Sequence, residues 1–322
     1  MKSNYFRGVI FCLIATISWG AMFPVMTSAL QHVDPFHFTA ARYSLAGIAF
    51  TLLLLVKEGT KAFNLKGERV LLAWFLGTAG FAGFGFLVFL GQQMAGPTGA
   101  LTASIVMATM PLLGVLVNWV IRNVKPPKAT LGFITMSFFG VLLVITEGNV
   151  GAILSRPASF AAYLPLLAGA LCWVIYTIGA SFFPTWSAYR YTTITTLLGL
   201  TSVFAVTLVL NLAGVIQTPT ADAAVAVLPH LLYMALVAGM IGVLSWNMGN
   251  KIITPINGVL FMDVVPVTAF TISAMTGIIP HQVQVYGAIV TATALIMNNL
   301  YQRRLLVKNA SLASRPLGRA ST

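Results

Sequence analysis

The sequence predicts an all-α membrane protein, with ten transmembrane helices arranged as two inverted five-helix repeats. Three observations predict it. The chain is 58% apolar and only 7% charged over 322 residues, where a soluble domain carries roughly 25% charged residues. Its apolar residues gather into ten stretches of the length, about 20 residues, that crosses a hydrocarbon core of about 30 Å. The first half also recurs in the second at a constant offset: Pro111 falls on Pro266, and Gly132 on Gly287 (287 − 132 = 155), with no gap between.

The ten predicted spans are residues 8–30, 36–56, 70–93, 98–121, 129–147, 162–183, 190–215, 230–250, 255–278 and 283–302. Span 1 follows Lys2 and Arg7 and superficially matches a secretory signal. Its ATISWGAMF run, however, lies over GALCWVIYT in the second half (173 − 19 = 154), where no signal peptide can stand, so it is read as a retained helix. Asp34-Pro35 opens span 2, and the polar run KEGTKAFNLKGER separates it from span 3. GPTG, RNVKPPK, SRPAS, QTPTAD and IIPHQ punctuate the later spans. All are turn and breaker clusters. Helices are expected because lipid cannot satisfy an unpaired backbone, and the period-2 alternation of a membrane barrel is absent.

A unit with an odd number of spans enters the membrane from opposite sides in its two copies. Inverted repeats of this kind place one central site at the repeat interface of secondary transporters. The repeats are assigned to residues 1–150 and 151–302, leaving 303–322 as a basic cytoplasmic tail expected to be disordered.

The formal net charge of +12 does not point to nucleic acid, because of where it sits. With the N-terminus inside and ten crossings, 16 of the 18 Lys and Arg residues fall on the cytoplasmic side; Arg156 lies outside and Arg42 within a helix. That is the positive-inside rule. It predicts both termini in the cytoplasm and a bacterial-type inner membrane as the location. Cys12 and Cys172 are separate apolar positions in spans 1 and 6, with neither a disulfide framework nor metal-ligand spacing.

Charged side chains inside a span cost from about 2.5 kcal/mol upward and mark function by default. Asp263 lies eight residues past Pro255, and Arg42 seven past Pro35. At 1.5 Å per residue these are depths of about 12 and 10 Å. Asp263 is either a carboxylate that titrates near neutral pH to couple protons or oppose a cationic substrate, or a structural residue that pairs with Arg42 or holds a backbone break near Pro266. Arg42 is either such a charge partner or a side chain snorkelling to the outer interface.

The polar and aromatic candidates come in offset-related pairs, Trp19 with Trp173 and Gln92 with Asn247 (247 − 92 = 155). The tryptophans are core packing or the aromatic walls of a cavity, and Tyr176 shares the Trp173 face at i, i+3. The amides are interhelical hydrogen bonds or cavity lining. Pro111 and Pro266 fall inside spans 4 and 9 and are expected to kink them near a binding or gating region. The glycines Gly77, Gly80, Gly83 and Gly85 of span 3 read first as close helix packing.

An enzyme is not expected: no His-Glu-x-x-His run, Gly-x-Ser-x-Gly elbow or phosphate-gripping loop occurs. Neither a cofactor nor a metal is implied.

On Ser18-Trp19-Gly20, Asp34-Pro35 with Arg42, the Ala-rich start of span 4 before Pro111, Gly140-Val141, Pro255, Asn257-Gly258, Pro266 and Gly287, the chain resembles the drug/metabolite transporter superfamily, in the group built from two EamA-type repeats. The resemblance covers residues 8–302. One departure is that Val124-Lys125-Pro126 and Ile278-Ile279-Pro280 stand where members often carry Leu-Gly-Glu before spans 5 and 10. The resemblance implies a secondary transporter of small metabolites, working by alternating access, with export of amino acids or related organic solutes leading. Spans 1, 3, 4, 6, 8 and 9 are expected to line the cavity. Protons are the candidate coupling ion, and the protein is expected as a monomer or homodimer. An uncoupled facilitator and a non-transporting scaffold or sensor are the alternatives.

Overall fold

The computed structural model describes the backbone of residues 2–123, 125–146, 148–149, 161–253, 258, 261–262, 264–277 and 281–313. Asp263, Pro255 and Asn257 lie outside the described residues, as do Val124, Arg156 and Ile278-Ile279-Pro280.

The described residues form helices joined by turns and short loops, without strands. The first helix, α1 (Lys2–Ala29), carries Pro24 in its interior. α2 (Pro35–Glu58) begins as its sequence requires. The Asp34 carboxylate accepts the Phe36 and His37 backbone N–H groups at 2.9 and 3.0 Å, and Pro35 takes a first-turn position where no N–H is missed. It ends at Gly59, whose φ of +73° suits a residue without Cβ. α3 (Val70–Met94) is continuous but widens into a π-helix over Thr78–Gly83.

α4 (Gly99–Met107) and α5 (Met110–Arg122) form a broken pair, bent by 42° at Ala108-Thr109. There follow α6 (Lys128–Thr146), α7 (Tyr163–Gly179) and α8 (Ala188–Leu212), the last capped by the Ser187 hydroxyl accepting the Arg190 N–H at 2.9 Å. α9 (Leu228–Ile253) contains a second π-helix over Tyr233–Gly242. α10 (Val264–Met275) and α11 (Gln282–Ala313) complete the described chain.

These helices occupy the stretches expected to span the membrane. Among the described residues, six are long and apolar enough to cross as single helices: α1, α2, α3, α7, α8 and α9. The α4–α5 pair makes a seventh if the two count as one span, and α6 and α10 are shorter apolar helices. α11 continues to Ala313, so residues 303–313, expected to be disordered, are helical. No Gly or Pro interrupts the chain there until Pro316, and a basic segment of good helix formers simply prolongs the preceding helix.

Packing runs between the two halves of the sequence. α1 packs on α9 and α10, while α7 packs on α3 and on the α4–α5 pair; α2 lies on α8, and α6 on α11. Small residues let the backbones approach, as lipid-embedded helices require. A Cβ on Gly140 would stand 2.7 Å from the Gly287 carbonyl, and one on Gly199 2.4 Å from the Gly77 carbonyl.

The two ends of the bundle differ in chemistry. At one, Arg190 donates from Nε to the Ala62 carbonyl at 2.9 Å and from Nη2 to that of Asn64 at 2.8 Å, and pairs with Glu68 at 3.1 Å. Lys251 joins that end through the Trp186 carbonyl at 3.0 Å. At the other, His37 meets Asn211 at 3.3 Å and His230 meets Ser28 at 3.1 Å.

Candidate functional site

Where α1, α2, α7 and α9 converge, the offset-related tryptophans touch. The Trp19 and Trp173 rings are 5.3 Å apart and nearly perpendicular (86°), the edge-to-face geometry aromatic quadrupoles favour. Trp246 lies 5.2 Å from Trp19. Tyr176 lies 5.0 Å from Trp173 and stacks on Tyr191 at 5.2 Å. All are buried.

Polar atoms in this cluster are held by name. The Trp19 Nε1–H donates to the Ala238 carbonyl at 3.0 Å, inside the π-helical stretch of α9. Asn247 Nδ2 donates to the Tyr176 hydroxyl at 3.1 Å and to Thr192 Oγ1 at 2.7 Å. The Tyr191 hydroxyl donates to the Tyr176 carbonyl at 2.7 Å. Gln92, offset partner of Asn247, works elsewhere: its Nε2 donates to the Phe23 carbonyl at 2.7 Å and to Thr27 Oγ1 at 2.8 Å, tying α3 to α1 beside Pro24. Its Oε1 is buried without a partner.

Arg42 stands at the edge of the aromatic cluster, only 1% exposed. Its guanidinium carbon lies 4.6 Å from the centroid of Tyr43 and 5.4 Å from that of Phe89. Nε and Nη1 are buried with no hydrogen-bond partner. It does not snorkel.

Between these groups is a narrow central cavity lined by Trp19, Met22, Phe23, Arg42, Tyr43, Phe84, Met107, Met110, Trp173, Val243, Met262 and Val265. Only about 20 Å³ of it can hold a water centre, against the roughly 10–15 Å³ one water needs. The centre is closed. By the same measure a larger cavity of about 260 Å³ opens beyond Tyr191 and Asn247, lined also by Thr177, Ser181, Trp186, Asn250 and Lys251. It sits at the Arg190 and Lys251 end of the bundle, and Asn247 and Tyr191 border it from the side of the aromatic cluster.

Pro111 is the second residue of α5, just past the 42° bend, on the side where a proline's missing N–H and its ring disrupt the preceding turn. Pro266 lies in α10, and the residue that precedes that helix lies outside the described residues. Each adjoins a cavity-lining residue, Met110 and Val265. Asp263 lies outside the described residues.

Sequence reasoning passed over several members of this site. Tyr43 and Trp246 have no aromatic counterpart at the repeat offset, and Tyr191 was masked by a run of threonines. The two π-helices leave no composition signal. Their positions do correspond, since Tyr233 lies 155 residues beyond Thr78 (233 − 78 = 155), the offset of the sequence recurrence.

Comparison with known proteins bears on this arrangement. Residues 6–146 match the model of the EamA-like transporter family. The chain is 39% identical over 303 residues to a Bacillus subtilis (strain 168) protein described as the uncharacterized transporter YrdR, covering 94% of each. It is 28% identical over 283 residues to a second from that organism, the uncharacterized transporter YyaM, covering 87% of this chain and 90% of that one. A solved structure described only as the crystal structure of a protein superposes with a TM-score of 0.60 at 22% identity, covering 95% of this chain and 99% of the other. That likeness concerns the fold.

Proposed function

The chain belongs to the EamA-like transporter family, within the drug/metabolite transporter superfamily, and is a multi-pass membrane transporter of small molecules; from that premise we propose that it is a secondary transporter working by alternating access. In this reading it exports small metabolites, amino acids or related organic solutes leading, across a bacterial-type inner membrane. Ten spans form two inverted repeats, 1–150 and 151–302, and both termini are cytoplasmic.

The observation that carries the mechanism is the closed centre beside an open cavity. Trp19, Trp173, Tyr176 and Asn247 close the central cavity from a vestibule of mixed lining, largely apolar with Asn250 and Lys251 among its polar groups, large enough for a small solute. The vestibule lies at the basic end, with Arg190 and Lys251, which the positive-inside rule puts in the cytoplasm. An exporter resting in this state receives substrate from the cytoplasm and must part the aromatic wall to pass it on. Further support for paired repeats comes from packing: α1 on α9 and α10 corresponds, five spans on, to α7 on α3 and the α4–α5 pair.

A scaffold also has a tightly packed centre. What argues against it is Arg42, because a purely structural core has no reason to retain a guanidinium with two unpartnered nitrogens.

The test is uptake into proteoliposomes across a panel of amino acids and metabolites, with and without a proton gradient. Saturable flux is expected for at least one compound; absence of flux in both orientations refutes transport. Proton coupling is assigned to Asp263. Flux by Asp263→Asn should lose its response to the gradient, and a response equal to wild type removes Asp263 from coupling.

A further inference from the structure

Arg42 has five N–H donors in a fixed plane and keeps its charge under all ordinary conditions. It lines the central cavity, 1% exposed, with Nε and Nη1 lacking any acceptor. Its neighbours offer ring faces, Tyr43 and Phe89, rather than oxygen atoms. No carboxylate pairs with it among the described residues. The remaining described lining is uncharged and largely apolar, with four methionines (Met22, Met107, Met110, Met262) and Trp19 and Trp173. The vestibule repeats the pattern: among the described residues that line it, Lys251 carries the charge and none is acidic.

A buried cation with free donors, in a cavity that supplies no described anion, is completed by an anion that arrives from outside. The guanidinium fork matches a carboxylate, which accepts two parallel N–H bonds. The methionine thioethers adapt to irregular apolar shapes, as at promiscuous binding surfaces. We propose that Arg42 is the anion-binding group of the central cavity, and that the transported solute is a small organic acid. Its carboxylate sits on the guanidinium and its apolar body among the methionines and tryptophans. Lys251 then draws the same anions into the vestibule before the wall opens. This rests on the transporter reading and narrows its substrate class.

The test uses three matched probes, cyclohexanecarboxylate, cyclohexanecarboxamide and cyclohexylmethylamine, titrated against the full chain in nanodiscs. None absorbs where tryptophan emits, so Trp19 and Trp173 report binding through intrinsic fluorescence. The carboxylate should bind saturably with a Kd at least about ten-fold below that of the amide, and the amine should bind worst. Arg42→Gln should erase the preference for carboxylate over amide. Arg42→Lys, which keeps the charge but loses the fork, should retain the preference with binding about three- to ten-fold weaker.

Equal binding of carboxylate and amide to wild type overturns the proposal, as does an undiminished preference in Arg42→Gln. If Arg42→Gln fails to fold, Arg42→Lys decides: carboxylate binding unchanged from wild type overturns the bidentate site. If Asp263→Asn restores folding to Arg42→Gln and the pair binds carboxylate as wild type does, Arg42 belongs to an internal ion pair and the proposal falls. Proteoliposomes separate the two readings. Saturable uptake of a neutral solute, equal in wild type and Arg42→Gln, preserves transport and rejects the anion site. Selective carboxylate binding without flux of any panel compound preserves the anion site and rejects transport.

Discussion

Gly80 touches the aromatic wall directly, and the substitution Gly80→Ala tests it. A Cβ there would lie 2.7 Å from both Cγ and Cδ2 of Tyr176 and 3.1 Å from its Cβ. Carbon atoms pack best at about 3.5–4.0 Å, so the overlap is about 1 Å. Tyr176 has nowhere to retreat. Its ring stacks on Tyr191 at 5.2 Å, meets Trp173 at 5.0 Å and Phe81 at 5.3 Å, and its hydroxyl accepts from Asn247.

Overpacking of this kind costs about 1–3 kcal/mol, offset by up to about 1 kcal/mol because Ala is the better helix former. The net expected loss is on the order of 1–2 kcal/mol, read as a Tm lower by several degrees in detergent. Gly132→Ala is the control. Nothing lies within 4 Å of a Cβ there, so its Tm should hold or rise. Gly80→Ala should also slow uptake, since a shifted Tyr176 loosens its hold on Asn247. A variant with wild-type Tm and wild-type flux would refute the claim that the wall is tightly packed around Tyr176.

Two further substitutions probe the wall and the basic end. Asn247→Leu removes the donor that both the Tyr176 hydroxyl and Thr192 Oγ1 accept; each buried hydroxyl loses one of its hydrogen bonds, at a cost of about 1 kcal/mol or more, and a Tm equal to wild type would contradict this. Arg190→Lys replaces a fork that holds the Ala62 and Asn64 carbonyls and Glu68 with a point charge that cannot span all three. Hydrogen exchange over residues 60–68 should quicken severalfold by mass spectrometry while the central helices stay protected; unchanged exchange would show that Arg190 does not fasten this loop.

The helices and their order were legible because lipid imposes one strong rule, a long apolar run per crossing, and breakers marked the ends: Asp34-Pro35 and Gly59 bound α2 where the residues say they should. The pairing of Trp19 with Trp173 as equivalent residues was legible from the offset between them. Their contact was not, because a linear comparison says which residues are equivalent and nothing about which helices touch. Pro111 was expected to kink its span, and a 42° bend falls at Ala108-Thr109, just before it, where a proline's ring and missing N–H disturb the preceding turn. The state of Arg42 was hidden for another reason. Sequence shows a charge inside a span, but only three-dimensional neighbours show that rings surround it and leave two nitrogens free.

The π-helices join these observations into one mechanical argument. They occupy offset-equivalent positions, over Thr78–Gly83 in α3 and Tyr233–Gly242 in α9, and π-helical turns often occur at functional sites. Each supports an aromatic contributed by the opposite half of the chain. In α9 the stretch supplies the Ala238 carbonyl that takes the Trp19 Nε1–H. In α3 it places Gly80 against Tyr176, where a Cβ would lie 2.7 Å from Cγ and Cδ2. The exchange is reciprocal between the two offset-related stretches. In the proposed alternating-access cycle, moving one half against the other would carry each π-helical support away from the other half's aromatic, releasing Trp19 and Tyr176 together.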